Sequence, residues 1–144
     1  MRYKLEPQDY ELIEHARDAI NDVFSYREGP YQKHRVGAAV RTKSGEVFKG
    51  VHMEIENGRM TICAEPVAIG SAFTACYSEL DTIVAVRHPN PHDENQELKV
   101  ANPCGACREL IAEYNIKIIG INTDGELIKT DIGEFLPFRD RVES

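Results

Sequence analysis

A three-layer α/β/α fold, built on a five-stranded mixed sheet with helices on both faces, is what this 144-residue sequence predicts. Three observations lead to it. Apolar residues recur at helical spacing from Asp9 to Phe24. Short apolar runs at Val36–Val40, Asp81–Arg87 and Ile116–Ile121 have the length of strands rather than of helices. Helix-like and strand-like segments alternate in the order α-β-β-α-β-α-β-β-α, a pattern that calls for a mixed sheet covered on both sides. No internal repeat or linker interrupts it, so residues 1–144 are expected to form one domain.

The elements follow in order. Leu12, Ile13, Ala16, Ala19, Ile20 and Val23 form the apolar stripe of the first helix, with Asp9 after Pro7 as its N-cap signal. Gly29-Pro30 marks a loop. Val36-Gly37-Ala38-Ala39-Val40 reads as a buried strand, Lys43-Ser44-Gly45-Glu46 as a hairpin turn, and Val47 to Met53 as the returning strand. After a loop at Glu56-Asn57-Gly58-Arg59, a second helix runs from about Cys63 to Cys76. Asp81 to Arg87 is a strand covered on both faces, and His88 to Gln96, rich in Pro and Asn, is a surface loop. The third helix spans Cys104 to Tyr114, followed by a strand at Ile116–Ile121, a turn at Thr123-Asp124-Gly125-Glu126 and a short fifth strand, Leu127–Thr130. A brief helix near Ile132–Leu136 stops at Pro137.

Composition narrows the function classes. With 42% hydrophobic and 28% charged residues the chain can bury a core and is not a disordered segment. Seventeen basic against 24 acidic residues leave a net charge of −7, and the densest local charge, at Asp93, Glu94 and Glu97, is acidic. Nucleic-acid binding draws much of its affinity from basic contacts to phosphate, so a small-molecule substrate is expected and neither nucleic acid nor membrane is an expected partner. Met1 to Pro7 holds no apolar leader and no run nears the ~20 residues that span a bilayer, so a cytoplasmic protein with reduced thiols is expected.

The chemistry lies in Cys63-Ala64-Glu65 and Pro103-Cys104-Gly105-Ala106-Cys107. Three thiolates so spaced can hold a zinc ion and leave its fourth tetrahedral position open to water. Both segments open helices, where free N–H groups and the dipole favour anionic sulfur. Glu65 is a charge at the buried end of an apolar helix, a costly position unless it has a task. A lone C-x-x-C is also compatible with a redox pair of Cys104 and Cys107, which leaves Cys63 and Glu65 without a role. A structural zinc site needs a fourth ligand; Cys76 lies 13 residues along one helix from Cys63, on the order of 20 Å at ~1.5 Å per residue. A histidine could still close such a site. Cys76 itself is expected to be a small buried apolar residue.

At these residues the chain resembles the cytidine deaminase superfamily. The likeness runs from Val36-Gly37-Ala38-Ala39 through Thr61-Ile62-Cys63-Ala64-Glu65 and Pro103-Cys104-Gly105-Ala106-Cys107-Arg108 to Phe135-Leu136-Pro137. Leu12-Ile13-Glu14 and Ala19-Ile20-Asn21 also look like the opening of the blasticidin S deaminase branch. The resemblance implies a cytidine deaminase-like fold with one zinc ion per subunit, held by Cys63, Cys104 and Cys107, and Glu65 as the catalytic proton carrier. It implies hydrolytic deamination of cytidine or deoxycytidine in pyrimidine salvage, by a homotetramer or a homodimer. The alternatives are a blasticidin S-like or other modified aminopyrimidine nucleoside as substrate, or a non-catalytic zinc protein that keeps the fold.

By the same likeness the backbone near Ala64 and Cys104 holds the pyrimidine ring. The family's sugar-binding Asn-x-Glu falls at His52 and Glu54, so Glu54 matches and His52 replaces an amide. Asn57, after Glu56, is a further candidate for the sugar. His34-Arg35 stands where the family often has an aromatic residue. Pro66 stands where tetrameric members have an arginine that offsets the thiolate charge, a task left to Arg108 or the helix dipoles. Phe135 and Phe138 either cover a neighbouring subunit's pocket or pack in the core.

Overall fold

The computed structural model describes residues 1–24, 35–54, 61–89 and 93–137. Among them the chain runs β1 (Arg2–Tyr3), α1 (Pro7–Phe24), β2 (Val36–Thr42), β3 (Val47–Val51), α2 (Ala64–Thr74), β4 (Leu80–Arg87), β5 (Lys99–Ala101), α3 (Gly105–Glu113), β6 (Lys117–Ile121), β7 (Leu127–Thr130) and a 3₁₀ turn, Ile132–Glu134. The sheet order is β1-β7-β6-β4-β2-β3, and β5 pairs with β4. Among the described residues only β4 and β6 run parallel, joined through α3.

The mixed sheet between helices is as expected, but among the described residues it has seven strands rather than five. The two additions are too short to show a period in sequence. Arg2–Tyr3 borrows the outer edge of β7, and Lys99–Ala101 takes the half of a β4 edge that β6 leaves open. The last helix is likewise shorter than expected, a single 3₁₀ turn.

Side-chain alternation along β2 and β4 divides the core in two. Ala38, Val40, Ile83 and Ala85 face α2 and α3, whereas Ala39, Val84 and Val86 face α1 with Leu12, Ile13, Ala16 and Ile20. Helix α2 presses directly on the hairpin at Gly50, where a Cβ would lie 2.5 Å from the Ala68 amide nitrogen and 2.8 Å from the Ala64 carbonyl oxygen. Only glycine permits that approach, and it seats the N-terminus of α2 on the sheet.

Helix α1 begins at Pro7, two residues earlier than expected, so Asp9 is not its N-cap. Its carboxylate instead accepts the Glu6 N–H at 2.9 Å, the returning half of a capping arrangement. Asp9 is fully buried and also accepts from Arg41 Nη2 at 2.9 Å and Lys129 Nζ at 3.1 Å. Arg41 reaches Asp81 as well, at 3.3 Å. Burial alone would raise the Asp9 carboxyl, but the Glu6 amide, Arg41 and Lys129 outweigh it and hold it below the usual carboxylate range. A depressed folded-state value means stability that is complete above the unfolded value of about 3.9 and is lost as pH falls through the folded one. Asp9→Asn leaves buried Lys129 with a weaker partner and Arg41 with Asp81 as its remaining carboxylate, and is expected to cost about 3–5 kcal/mol in denaturant unfolding. Its loss should narrow below about pH 4, where the wild-type carboxyl also protonates.

Cys76 is exposed rather than buried. With φ of 69° it occupies the left-handed position that ends α2, its N–H on the Phe73 carbonyl at 2.9 Å and that of Tyr77 on the Ala72 carbonyl at 2.9 Å. Asn115 closes α3 in the same way.

Candidate active site

Cys63 and Cys104 are the N-caps of α2 and α3, both with extended backbone and neither with its side chain turned back to cap the helix. Their sulfurs are therefore free to face outward from two helix starts that the fold brings together. Two devices do the placing. A two-way backbone bridge between Met53 and Ile62, with N···O distances of 2.9 and 3.0 Å, pins the chain just before Cys63. Strand β5, laid along the end of β4, delivers Pro103-Cys104 two residues later.

The Sγ atoms of Cys63, Cys104 and Cys107 all lie within 4.8 Å of one another, with Cys63–Cys104 at 3.6 Å and Cys104–Cys107 at 3.5 Å. Tetrahedral zinc with Zn–S bonds of about 2.3 Å needs sulfurs roughly 3.8 Å apart. The donor set fits that ion in number, type and spacing. Cys107 is buried and Cys104 exposed, so the cluster has an inner wall and an open side.

Burial pushes the Cys63 and Cys107 thiols up; Cys104 and Glu65 add to the rise at Cys63 against a hydrogen bond with Cys107, and Glu65, Cys104 and Cys63 add to it at Cys107. Burial also raises Cys104, but the Cys107 amide, the flanking thiols and the Ala106 amide outweigh it and leave Cys104 below its ordinary value. Three thiols this close cannot all ionise by themselves; a dication reverses that. Glu65, 5% exposed, is raised by burial, against the pull of its own amide, Cys107 and the charge of Arg87. Burial thus favours the protonated carboxyl more than it would be favoured in water, which suits a group that must hold and pass on a proton.

A cavity of about 300 Å³ opens from this cluster. Its lining includes the buried Ala64, Glu65 and Ala85 beside Cys63 and Cys104, together with Arg35, His52, Glu54, Arg87 and Asn102. The expected ring-side residue Ala64 and the sugar-side pair His52 and Glu54 thus share one cavity with Glu65. Asn57 lies outside the described residues, as do His34, His92 and Phe138. His52 is buried, with the Val36 N–H donating to its Nδ1 at 2.9 Å and the Arg35 N–H to its Nε2 at 3.4 Å, and Nε2 lies 3.8 Å from Glu54 Oε2. Arg108 is engaged elsewhere: it donates to the Pro103 carbonyl at 2.9 Å and the Phe135 carbonyl at 3.0 Å, and lies over the Phe135 ring. Phe135 itself packs on the core of its own chain.

Arg35, Arg87 and Asn102 are cavity residues that motif reading passes over. Asn102 is held by paired hydrogen bonds to the Ile121 backbone, at 2.8 and 2.9 Å. A signal for Arg87 exists in the period-2 alternation of β4, which puts it on the side of Ala85, but its use requires knowing which side holds the sulfurs.

Three sulfur donors leave a tetrahedral ion one open position, which is the mark of a catalytic rather than a structural zinc site. The sequence model of the cytidine and deoxycytidylate deaminase zinc-binding region matches residues 8–123. Among similar proteins, blasticidin-S deaminase of Bacillus cereus is 43% identical over 138 residues, 95% of each chain. Cytidine deaminase of Halalkalibacterium halodurans is 31% identical over 82% of this chain and 88% of its own. The crystal structure of cytidine deaminase from Burkholderia pseudomallei superposes with a TM-score of 0.68 at 30% identity, covering 90% of this chain and 96% of that one. This chain belongs to the cytidine and deoxycytidylate deaminase family; it is a zinc-dependent deaminase.

Proposed function

We propose that this enzyme hydrolyses the exocyclic amine of an aminopyrimidine nucleoside, with Cys63, Cys104 and Cys107 as the zinc ligands and Glu65 as the proton carrier. The observation that supports it most is the meeting of three sulfurs, two of which line a single cavity together with the buried Glu65 carboxyl. Zinc held there supplies Lewis-acid activation of a water molecule near neutral pH. Glu65 takes a proton from that water and delivers it to the ring nitrogen next to the attacked carbon. It then takes the remaining proton from the hydroxyl added to that carbon and hands it to the departing amine, so that water and the aminopyrimidine become the pyrimidinone and ammonia. The backbone at Ala64 and Cys104 holds the ring, and Glu54 takes sugar hydroxyls at the open end. The whole chain, 1–144, acts as one catalytic domain.

Cytidine or deoxycytidine is the reading supported by family membership and by Glu54 in the cavity. A second reading, a cytosine nucleoside with a modified sugar of the blasticidin S kind, has the higher sequence similarity behind it. It is also supported by His52, whose Nδ1 is engaged with Val36 and whose donor geometry differs from that of an amide. Ultraviolet absorbance and ammonia release, followed on a panel of cytosine nucleosides, separate the two. Cytidine and deoxycytidine turning over best supports the first. Blasticidin S or a nucleoside without a ribose 3′-hydroxyl turning over best supports the second, and no turnover of any member overturns both.

A cytoplasmic homotetramer or homodimer, serving pyrimidine salvage or detoxification, accompanies the reading on family likeness. The acidic balance of the chain supports a small substrate over nucleic acid, and among the described residues no helix is long and apolar enough to cross a membrane. Sedimentation of the zinc-loaded enzyme tests the subunit count.

A further inference from the structure

The deep end of the cavity is accounted for by the reaction; its mouth is not. Arg87 lies at the last position of β4, on the face of Ile83 and Ala85, two residues from the Ala85 that lines the cavity and cross-strand from Val36. Ala85 is buried and Arg87 exposed, so along this wall the cavity passes from closed to open and Arg87 stands at the opening. Among the described residues Arg87 forms no ion pair or hydrogen bond. Arg35, the other guanidinium of the cavity, is by contrast placed on the His88 carbonyl at 3.4 Å.

A second cation stands beside Arg87. Lys99 pairs with it directly across β4 and β5, and the two share an adjoining groove with Asn102. Like charges directly opposed on neighbouring strands repel, and an anion bound between or beside them would relieve that repulsion. Asp93 and Glu97 also line that groove, but Glu97 lies 3.9 Å from Arg17. Glu54, the carboxylate of the mouth, faces His52. Neither comes within ion-pair distance of Arg87.

We propose that Arg87, backed by Lys99, is a specificity-determining residue that binds an anionic substituent, a carboxylate or a phosphate, on the sugar of the aminopyrimidine nucleoside. This rests on the nucleoside reading above and deepens it. The ring enters toward Glu65 and the sulfurs, which leaves the sugar at the mouth, and a guanidinium there can take either oxyanion in bidentate fashion.

The test is calorimetric binding of three products to the zinc-loaded enzyme: uridine, uridine 5′-monophosphate and uridine 5′-carboxylate. It is paired with kcat/KM for the matching cytosine compounds. At least one charged product should bind about tenfold or more tighter than uridine, with the advantage shrinking as salt is raised. A preference for the phosphate identifies a nucleotide, and a preference for the carboxylate an acidic sugar. Arg87→Gln should erase the advantage and leave uridine within about twofold, Arg87→Lys should keep part of it, and Lys99→Gln should reduce it less than Arg87→Gln does. Equal affinity for all three in the wild type overturns the inference, as does an advantage that survives Arg87→Gln. An equal loss for all three in Arg87→Gln also overturns it and shows Arg87 acting on the centre as a distant charge. In each of these cases uridine still binds, so the nucleoside reading stands. If none of the three binds and no cytosine compound turns over, the nucleoside reading falls and this inference with it.

Discussion

Glu65→Gln should lower kcat by about 10³- to 10⁴-fold and leave one zinc per subunit in place. The amide keeps the volume of the carboxyl and its acceptor oxygen but cannot take a proton from water, and general acid–base groups contribute roughly 10²–10⁴-fold. Because in the proposed reaction the same carboxyl serves both the ring nitrogen and the leaving amine, its loss should fall at the upper end of that range. Two readouts belong together: metal analysis of the purified variant and turnover on whichever nucleoside the wild type uses. Zinc bound with no turnover assigns Glu65 to the chemistry. Loss of zinc along with turnover assigns it to holding the ligands, since Glu65 stands beside Cys107. The folded state should not suffer, because exchanging a buried carboxyl that is costly to ionise for a neutral amide removes a desolvation burden.

Cys107→Ser should abolish both zinc retention and activity. A serine hydroxyl at this site does not ionise near neutral pH, whereas the cation draws the proton off a thiol whose ordinary value is about 8.5. Cys107 is the buried one of the three proposed ligands, so its sulfur has no bulk water at hand to replace it. Removing zinc from the wild type with a chelator should give the same result and should lower the melting temperature by on the order of 10 °C. Such a shift corresponds to the ~4 kcal/mol that a ligand at a thousand times its Kd contributes to a domain of this size. The sign of the pH effect follows from burial, which raises the Cys63 and Cys107 thiols. Protons compete with the ion for sulfur, so zinc should be held less tightly as pH falls. A melting curve unchanged by the chelator, or full activity in the serine variant, would remove these sulfurs from the proposed ligand set.

How much was legible in the sequence varies with the range of the interaction. Helix α1 could be read because Leu12, Ile13, Ala16 and Ile20 repeat with the helical period and one face of them is buried. The hairpin of β2 and β3 could be read because Gly45, at a φ of 101°, marks the turn. The sulfur cluster stood out because C-x-x-C places Cys104 and Cys107 on one helix turn, and helix starts attract anionic sulfur. Strand β5 was not legible: its three residues have no period of their own and exist as a strand only because β4 offers them an open edge. Asp9 looked like a helix cap because its partners, Arg41 and Lys129, are 32 and 120 residues away. Cys76 looked like core because its type is usually buried, and the left-handed turn that exposes it is a matter of backbone geometry.

The sequence by itself determined the elements that repeat locally, the family and the set of groups able to do the chemistry, because helical period, turn residues and ligand spacing all act over a few residues. Only the tertiary structure decided which of those groups share a cavity, and which further ones, Arg35, Arg87 and Asn102, join them. The reason is that neighbouring residues of a strand point to opposite faces. Whether Arg87 meets the substrate or the solvent depends on which face α2 and α3 cover, and that is set by packing between segments far apart in the chain.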